Sequence, residues 1–393
     1  MSRTTDRQAV IVGIGATEFS KDSGRTELRL ACEASRSALE DAGIPGAEVD
    51  GVSTFSMDNN FEIDVHRQVG GHELRFFSRT EYGGGAALGP FHHAYCALAA
   101  GQCQTVLIYR GMNERSGLRF GGGQIMNMNA LNPDMIHFSH YFPSGFMTPA
   151  SWIAMTARRY MHEYGATSED FGRIAVSMRD FASTNPAAFY YERPITLDDH
   201  QNSRMIADPL RLFDCCQESD GAVAFVVTTA ERARDLDVDG VRIAAVRQCA
   251  LPSSRQVTPF YGDDIARFPE FDAMAGDLYE TAGLQPDDID VACLYDHFTP
   301  SILPQLEAFG FCKTGEAADF VRDGHISRGG RIPVNTNGGQ IGEAYIHGLN
   351  GVAEIVRQLR GTSVNQVAGA DHALVTAGAG VPTGAAILSR MEA

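Results

Sequence analysis

The stretch from residue 33 to residue 52 has a second copy, in outline, near residue 275, and no single motif restricts the fold as much. Residues 33–44, followed by Val49-Asp50-Gly51-Val52, can be laid over residues 275–284, followed by Ile289-Asp290-Val291-Ala292. Each copy reads as an amphipathic helix stopped by a glycine, Gly43 or Gly283, and then a short apolar strand. Further along, Gly83 to Gly85 correspond in order to Gly338 and Gly339, and the strand around Val106 to Ala373-Leu374-Val375-Thr376. Chance matches one helix end. Two matches in the same order point to a duplicated architecture. The 393 residues also exceed one ordinary domain. Two halves are therefore expected, residues 1–238 and residues 239–393.

Taken in order, residues 9–15 read as a buried strand and residues 28–42 as a helix, and residues 51–55 form a second strand. The glycine cluster Gly83-Gly84-Gly85 opens a helix of small residues running to about residue 100, and residues 105–109 make the next strand. This alternation is α/β layering. Within the first half, residues 113–208 form an insertion rich in Met, Phe, Tyr and Asn. Met126, Met128, Met135, Phe138, Tyr141, Phe142, Phe146 and Met147 crowd ahead of the only tryptophan, Trp152. They read as a loop-and-helix subdomain with its own small core, or as adaptable side chains covering an apolar ligand or partner surface.

A formal charge of −17 argues against an extended nucleic-acid surface. An anionic ligand such as a CoA ester would need a local basic patch or helix N-termini. The N-terminus shows no signal-peptide pattern and no run approaches 18 apolar residues, so a cytoplasmic protein without a membrane span is expected. The eight cysteines lack paired CxxC spacing and read as reduced, mostly buried small hydrophobes, with no metal site. Gly13-Ile14-Gly15 lacks the third glycine of a dinucleotide fingerprint, and no cofactor is expected.

Residues 334–348 hold the candidate site. Asn335 and Asn337 flank Gly338-Gly339, Tyr345 and His347 follow, and residues 349–359 read as a helix. Such glycines let a backbone approach a ligand closely. The plain alternative is a tight turn before a surface helix.

Ile195-Thr196, then residues 203–210 through Asp208-Pro209, then residues 214–224 through Ser219-Asp220-Gly221, resemble the segment that closes the first half of thiolases. The chain is similar, over nearly its whole length, to the sterol-carrier-protein-associated, lipid-transfer thiolase-like proteins. The resemblance implies a duplicated thiolase fold: two βαβαβαββ halves, each with a five-stranded mixed sheet, in a five-layered α-β-α-β-α order, usually as a homodimer.

The departures from the family bear on the chemistry. Where thiolases carry the nucleophilic Cys, this chain has Tyr82 ahead of Gly83; their two catalytic His positions fall on Tyr345 and Tyr295. Their second Cys falls in Ala377-Gly378-Ala379-Gly380, which has no thiol. Without a thiol pair an acyl-enzyme is not expected. Two phenols can instead supply the acid and base of a retro-aldol cleavage. This pattern resembles the thiolase-like aldolases of bacterial steroid side-chain degradation. It implies a 17-hydroxy-3-oxo-steroid 20-carboxyl-CoA substrate, cleaved to a 17-ketosteroid and propionyl-CoA, with CoA as part of the substrate.

Tyr295 and Tyr345 are the expected acid/base pair, and which is the base is open. His297, His347 and Asp296 are candidates for proton relay or support, with a structural role as the alternative for each. Tyr82, Gly83, Asn337, Gly338 and Gly380 are candidates for binding the thioester oxygen. The relatives work with a small OB-fold partner, often fused to a hydratase, and the insertion is a candidate contact for it. Two other readings stand beside the aldolase: a non-catalytic acyl-CoA or lipid carrier, and a structural subunit dependent on a partner.

Overall fold

The computed structural model describes residues 8–55, 60–80, 83–117, 139–236, 238–252, 254, 260, 262, 264–379 and 383–391. In chain order its principal elements are β1 (Ala9–Ala16), α1 (Glu27–Ala42), β2 (Gly51–Phe55), β3 (Phe76–Thr80), α2 (Gly89–Ala99) and β4 (Thr105–Asn113). The insertion contributes α3 (Pro149–Tyr164), α4 (Ser168–Thr184) and a small hairpin, β5 (Met205–Ala207) with β6 (Leu210–Arg211). β7 (Asp220–Thr229), β8 (Val241–Cys249), α5 (Pro269–Ala282), β9 (Val291–Cys293), α6 (Leu349–Arg360), β10 (His372–Thr376) and β11 (Thr383–Arg390) complete the set.

Nine strands form one mixed sheet in the order β3-β2-β4-β7-β1-β8-β11-β10-β9. An isolated parallel bridge from Ala292 to Val334 extends it beyond β9. Reading outward from the β1–β8 seam, both halves show the same sequence of senses. In the first, β1, β7 and β4 are antiparallel and β4, β2 and β3 parallel. In the second, β8, β11 and β10 are antiparallel and β10, β9 and the Val334 bridge parallel. The seam itself is narrow, pairing Val10 with Arg242 and Ile11 with Val241. α1 and α5 end alike, on Gly43 (φ 63°) and Gly283 (φ 71°), whose left-handed backbones close the last helical turn.

The period-2 alternation of the strands divides the apolar residues among separate cores. On β1, Ala9 and Ile11 face a core that also takes Phe91 and Leu98 of α2 and Val352, Ile355, Val356 and Leu359 of α6. Val10 and Val12 face the opposite core, built on Leu30, Ala34 and Ala38 of α1. α6 is therefore no surface helix: sheet strands of both halves supply residues to its core.

The insertion corrects the expectation of a self-contained subdomain. Ile153, Ala157 and Tyr160 of α3 and Phe171, Ile174 and Met178 of α4 share one core with Phe271 and Leu278 of α5 and Ile302, Leu306 and Phe309 beyond β9. Its helices cover the second half of the chain. Trp152 is buried, its indole N–H donating to Phe146 O at 2.9 Å. Met126, Met128, Met135 and Phe138 lie outside the described residues. All eight cysteines are free thiols, but only Cys32, Cys103 and Cys293 are fully buried, fewer than expected. Among the described residues no helix is long and apolar enough to cross a membrane.

Candidate active site

Tyr295 lies just past β9, and its backbone is held on every side. Its N–H is shared between Thr376 Oγ1 (2.8 Å) and Gln305 Oε1 (3.2 Å), while the Gln305 amide donates back to its carbonyl at 3.0 Å. The neighbouring Leu294 exchanges two hydrogen bonds with the Asn335 side chain, 2.8 and 2.9 Å. Asn335 thus splices the Tyr295 loop to the strand-like Val334 and is not itself free for a ligand.

Three glycines from separate turns make room for the phenol. A Cβ at Gly84 would collide with the hydroxyl and stand 2.6 Å from the ring carbon that bears it. Cβ atoms at Gly348 and Gly378 would press on the ring at 3.0 and 3.1 Å. Gly378 N–H donates to Gly84 O at 3.0 Å, so the glycine turn of the first half and the C-terminal loop close this slot together.

Tyr345 enters from the turn before α6. Its hydroxyl meets that of Tyr295 at 3.1 Å, with the rings edge to face at 6.5 Å. The turn is anchored from below by Glu343, which accepts from the side-chain amides of Asn337, Asn350 (2.9 Å) and Asn185 (3.1 Å). Tyr345 N–H donates to Ser219 Oγ at 3.1 Å. His347 (φ 51°) and Gly348 (φ 81°) then take left-handed backbone conformations, which reverse the chain into α6.

Burial raises both phenols above their ordinary range, so both are protonated at neutral pH. The hydrogen bond from Tyr345 works the other way on Tyr295, favouring negative charge on that oxygen. Both imidazoles are neutral. Burial lowers His297 to about 4, and burial with the adjacent Arg110 guanidinium takes His347 well below its ordinary value. His347 Nδ1 accepts from Arg110 Nε at 3.3 Å, so its hydrogen resides on Nε2. Asp296 accepts from Gln340 N–H at 2.9 Å, and burial pushes its carboxyl up to about 6.

With this geometry in view, a model of the thiolase C-terminal domain-like family matches residues 253–390. The steroid side-chain-cleaving aldolase of Thermomonospora curvata is 55% identical over 97% of this chain and 97% of that protein. The 17-hydroxy-3-oxo-4-pregnene-20-carboxyl-CoA lyase of Mycobacterium tuberculosis is 55% identical over 97% of this chain and 99% of that one. The chain belongs to this aldolase family within the thiolase superfamily. A solved structure described as the Ltp2-ChsH2(DUF35) aldolase superposes with a TM-score of 0.94 at 53% identity, covering 98% of this chain and 99% of that chain.

For this aldolase-family chain, the structure brings Tyr295, Tyr345, His297 and His347 together: each imidazole centroid is 5.1 Å from one of the phenol rings. Gly83 caps the short 3-10 turn Gly84–Ala86 beside the slot. Asn337 and Gly338 are engaged within the protein. Asn337 commits its amide to Glu343 and its side-chain oxygen to Gly339 N–H, and Gly338 (φ 106°) packs on Ala182 of α4. Gly339 likewise makes way for Asp296, so both glycines allow a close approach between protein segments. Tyr82 and Gly380 lie outside the described residues. Arg110, Gln305, Gly84 and Gly378 were missed as site-builders. An arginine inside the apolar strand 105–109 and its continuation was the available signal for Arg110, since a buried charge needs a reason.

Proposed function

We infer that this chain is a carbon–carbon lyase that cleaves a β-hydroxyacyl-CoA by retro-aldol chemistry. Its substrate is a 17-hydroxy-3-oxo-steroid with a 20-carboxyl-CoA side chain, and its products are a 17-ketosteroid and propionyl-CoA. Near full-length relatives at 55% identity bearing those activities support the reading. The single observation that carries it is the 3.1 Å contact between the Tyr295 and Tyr345 hydroxyls, phenols standing where the resemblance to thiolases would put imidazoles.

The net reaction moves one proton from the 17-hydroxyl oxygen to the carbon beside the thioester. An ordinary phenol, of pKa about 10, is ionised in roughly one molecule per thousand at pH 7. Burial lowers that fraction further. A linked pair avoids a standing phenolate altogether. One phenol takes the hydroxyl proton as it hands its own to the other, which protonates the α-carbon as the Cα–Cβ bond breaks. Electron pairs and protons balance, and the hydroxyl–hydroxyl contact can run in either direction. Proton transfer of this kind calls for no cofactor beyond the CoA of the substrate. Neutral imidazoles beside the phenols keep repulsive or competing charge out of the relay.

The chain acts as a homodimer joined to a small OB-fold partner; the two-component aldolase that superposes on it supports a partner protein. The test is product analysis of the protein with that partner, on the steroid thioester, for wild type, Tyr295→Phe and Tyr345→Phe. Ketone and propionyl-CoA from wild type, lost in both variants while the thioester still binds, is the expected result. Tight binding without cleavage by wild type would replace the lyase with a carrier.

A further inference from the structure

Arg110 and Met112 share one face of β4, and the chain continues that face to Glu114, the first residue past the strand. Arg110 reaches His347, and Met112 lies in the core with Ala344 and Ile346. The face therefore looks onto the segment that carries Tyr345. Glu114 is held there by a pinned turn: Asn113 N–H donates to Glu27 Oε1 at 3.0 Å, and the Arg115 and Ser116 amides donate to the buried Asp220 carboxylate at 2.9 and 3.0 Å.

The Glu114 side chain is 8% exposed, and its Oε2 has no hydrogen-bond partner among the described residues. A buried, unpartnered carboxyl oxygen is costly unless it is protonated or meets a ligand. The strand face it continues is the one turned toward the segment that carries Tyr345, and a charge on it would be felt at Tyr295, Tyr345 and Cys216. The charged groups that act on it are Arg110 from β4, Lys21 from the loop after β1, Glu218 just before β7 and Asp220 at its first position. The two cations favour the carboxylate, but burial outweighs them and the two carboxylates oppose it. The Glu114 carboxyl is pushed up to about 8.

We propose that Glu114 is a third proton-bearing group of this cleft, a neutral hydrogen-bond donor to the thioester oxygen of the bound acyl-CoA. That oxygen gathers partial negative charge as the Cα–Cβ bond breaks, and a carboxylic acid within the cleft stabilises it where a carboxylate would repel it. The role rests on the retro-aldolase reading and adds to it a residue outside the phenol pair. It also sets a pH limit: deprotonation removes the donor and adds like charge together.

The test compares wild type, Glu114→Gln and Glu114→Ala, each with the partner protein, by kcat/KM from pH 6 to 10. Infrared difference spectra on adding propionyl-CoA are taken in parallel, and thermal midpoints confirm folding. Wild type should lose about tenfold per pH unit beyond an inflection near 8. Glu114→Gln keeps a neutral donor, so it should stay within about threefold of wild type at pH 7 and lose the alkaline limb. Glu114→Ala should fall by about 10²-fold, the scale of one missing oxyanion donor. A protonated-carboxyl band should shift with propionyl-CoA in wild type and be absent from both variants. An unchanged alkaline limb in Glu114→Gln, or no ligand-induced band shift, overturns the assignment even if cleavage proceeds. A band shift without any steroid cleavage would leave Glu114 in place and sink the retro-aldolase reading instead.

Discussion

Gly84→Ala tests whether the slot around Tyr295 sets the rate. In the native turn the new methyl would sit 2.6 Å from the ring carbon bearing the hydroxyl, and closer still to the hydroxyl itself. Opening 2.6 Å to the 3.4 Å of ordinary contact demands at least about 0.8 Å of movement by ring or turn, and relieving the hydroxyl demands more. The ring has no room to give, with Gly348 and Gly378 against its other flanks and its backbone held by Thr376 and Gln305. Misplacing a reacting group by about 1 Å typically costs 10²-fold in rate. Overpacking should also remove about 1–3 kcal/mol of stability. Gly276 is the control. It lies in α5 with nothing within 4 Å of its added methyl, so Gly276→Ala should stabilise the fold by about 0.5–1 kcal/mol and leave kcat alone. The assay is single-turnover release of propionyl-CoA, with thermal midpoints for both variants. A Gly84→Ala enzyme within threefold of wild type, with an unchanged midpoint, would refute the argument that the phenol's position is set by these glycines.

Three further outcomes are expected. Asp296, raised to about 6 by burial, contributes stability that is complete below the ordinary carboxylate range and lost as pH rises through 6. Asp296→Asn keeps an oxygen for Gln340 N–H, so denaturant unfolding should find it about 2–3 kcal/mol more stable than wild type at pH 7.5, with the gap closing below pH 4. Glu343→Gln places an amide among three donor amides. It should lower the thermal midpoint by the equivalent of about 1–3 kcal/mol and slow turnover by loosening Tyr345; unaltered kcat would detach the turn from the chemistry. Alkylation by iodoacetamide at pH 7.5 should modify exposed Cys96 ahead of Cys216, whose thiol burial holds well above its ordinary range, and leave cleavage intact. Early inactivation tracking Cys216 modification would contradict a thiol-independent mechanism.

The local elements were legible because their signals are local. The helix expected at 28–42 is Glu27–Ala42, ended by the very glycine that its sequence places there, and the strand at 51–55 is Gly51–Phe55. The sheet repeats one set of strand senses on either side of the β1–β8 seam, the pattern a duplication would leave. The apolar run predicts a strand at 105–109 because Arg110 and Gly111 interrupt it; β7 nevertheless pairs with β4 out to Asn113. The insertion was misjudged for the opposite reason. Its helices carry amphipathic faces, but nothing in their periodicity says which core those faces enter, and they enter that of the second half.

The site divides in the same way. Residue type at motif positions was enough to nominate Tyr295 and Tyr345 and to set thiolase chemistry aside, because a missing cysteine is visible without coordinates. What only the tertiary structure decided is how those phenols stand. Tyr295 and Tyr345 are 50 residues apart, and Gly84, Gly348 and Gly378 come from three distant turns, yet all meet within one slot. Long-range packing also sets Asn337 against Glu343 and Gly338 against Ala182, and leaves the Glu114 oxygen buried without a partner among the described residues. Sequence specifies which atoms can take or give a proton; desolvation and contact, which exist only in the folded chain, decide which of them hold one.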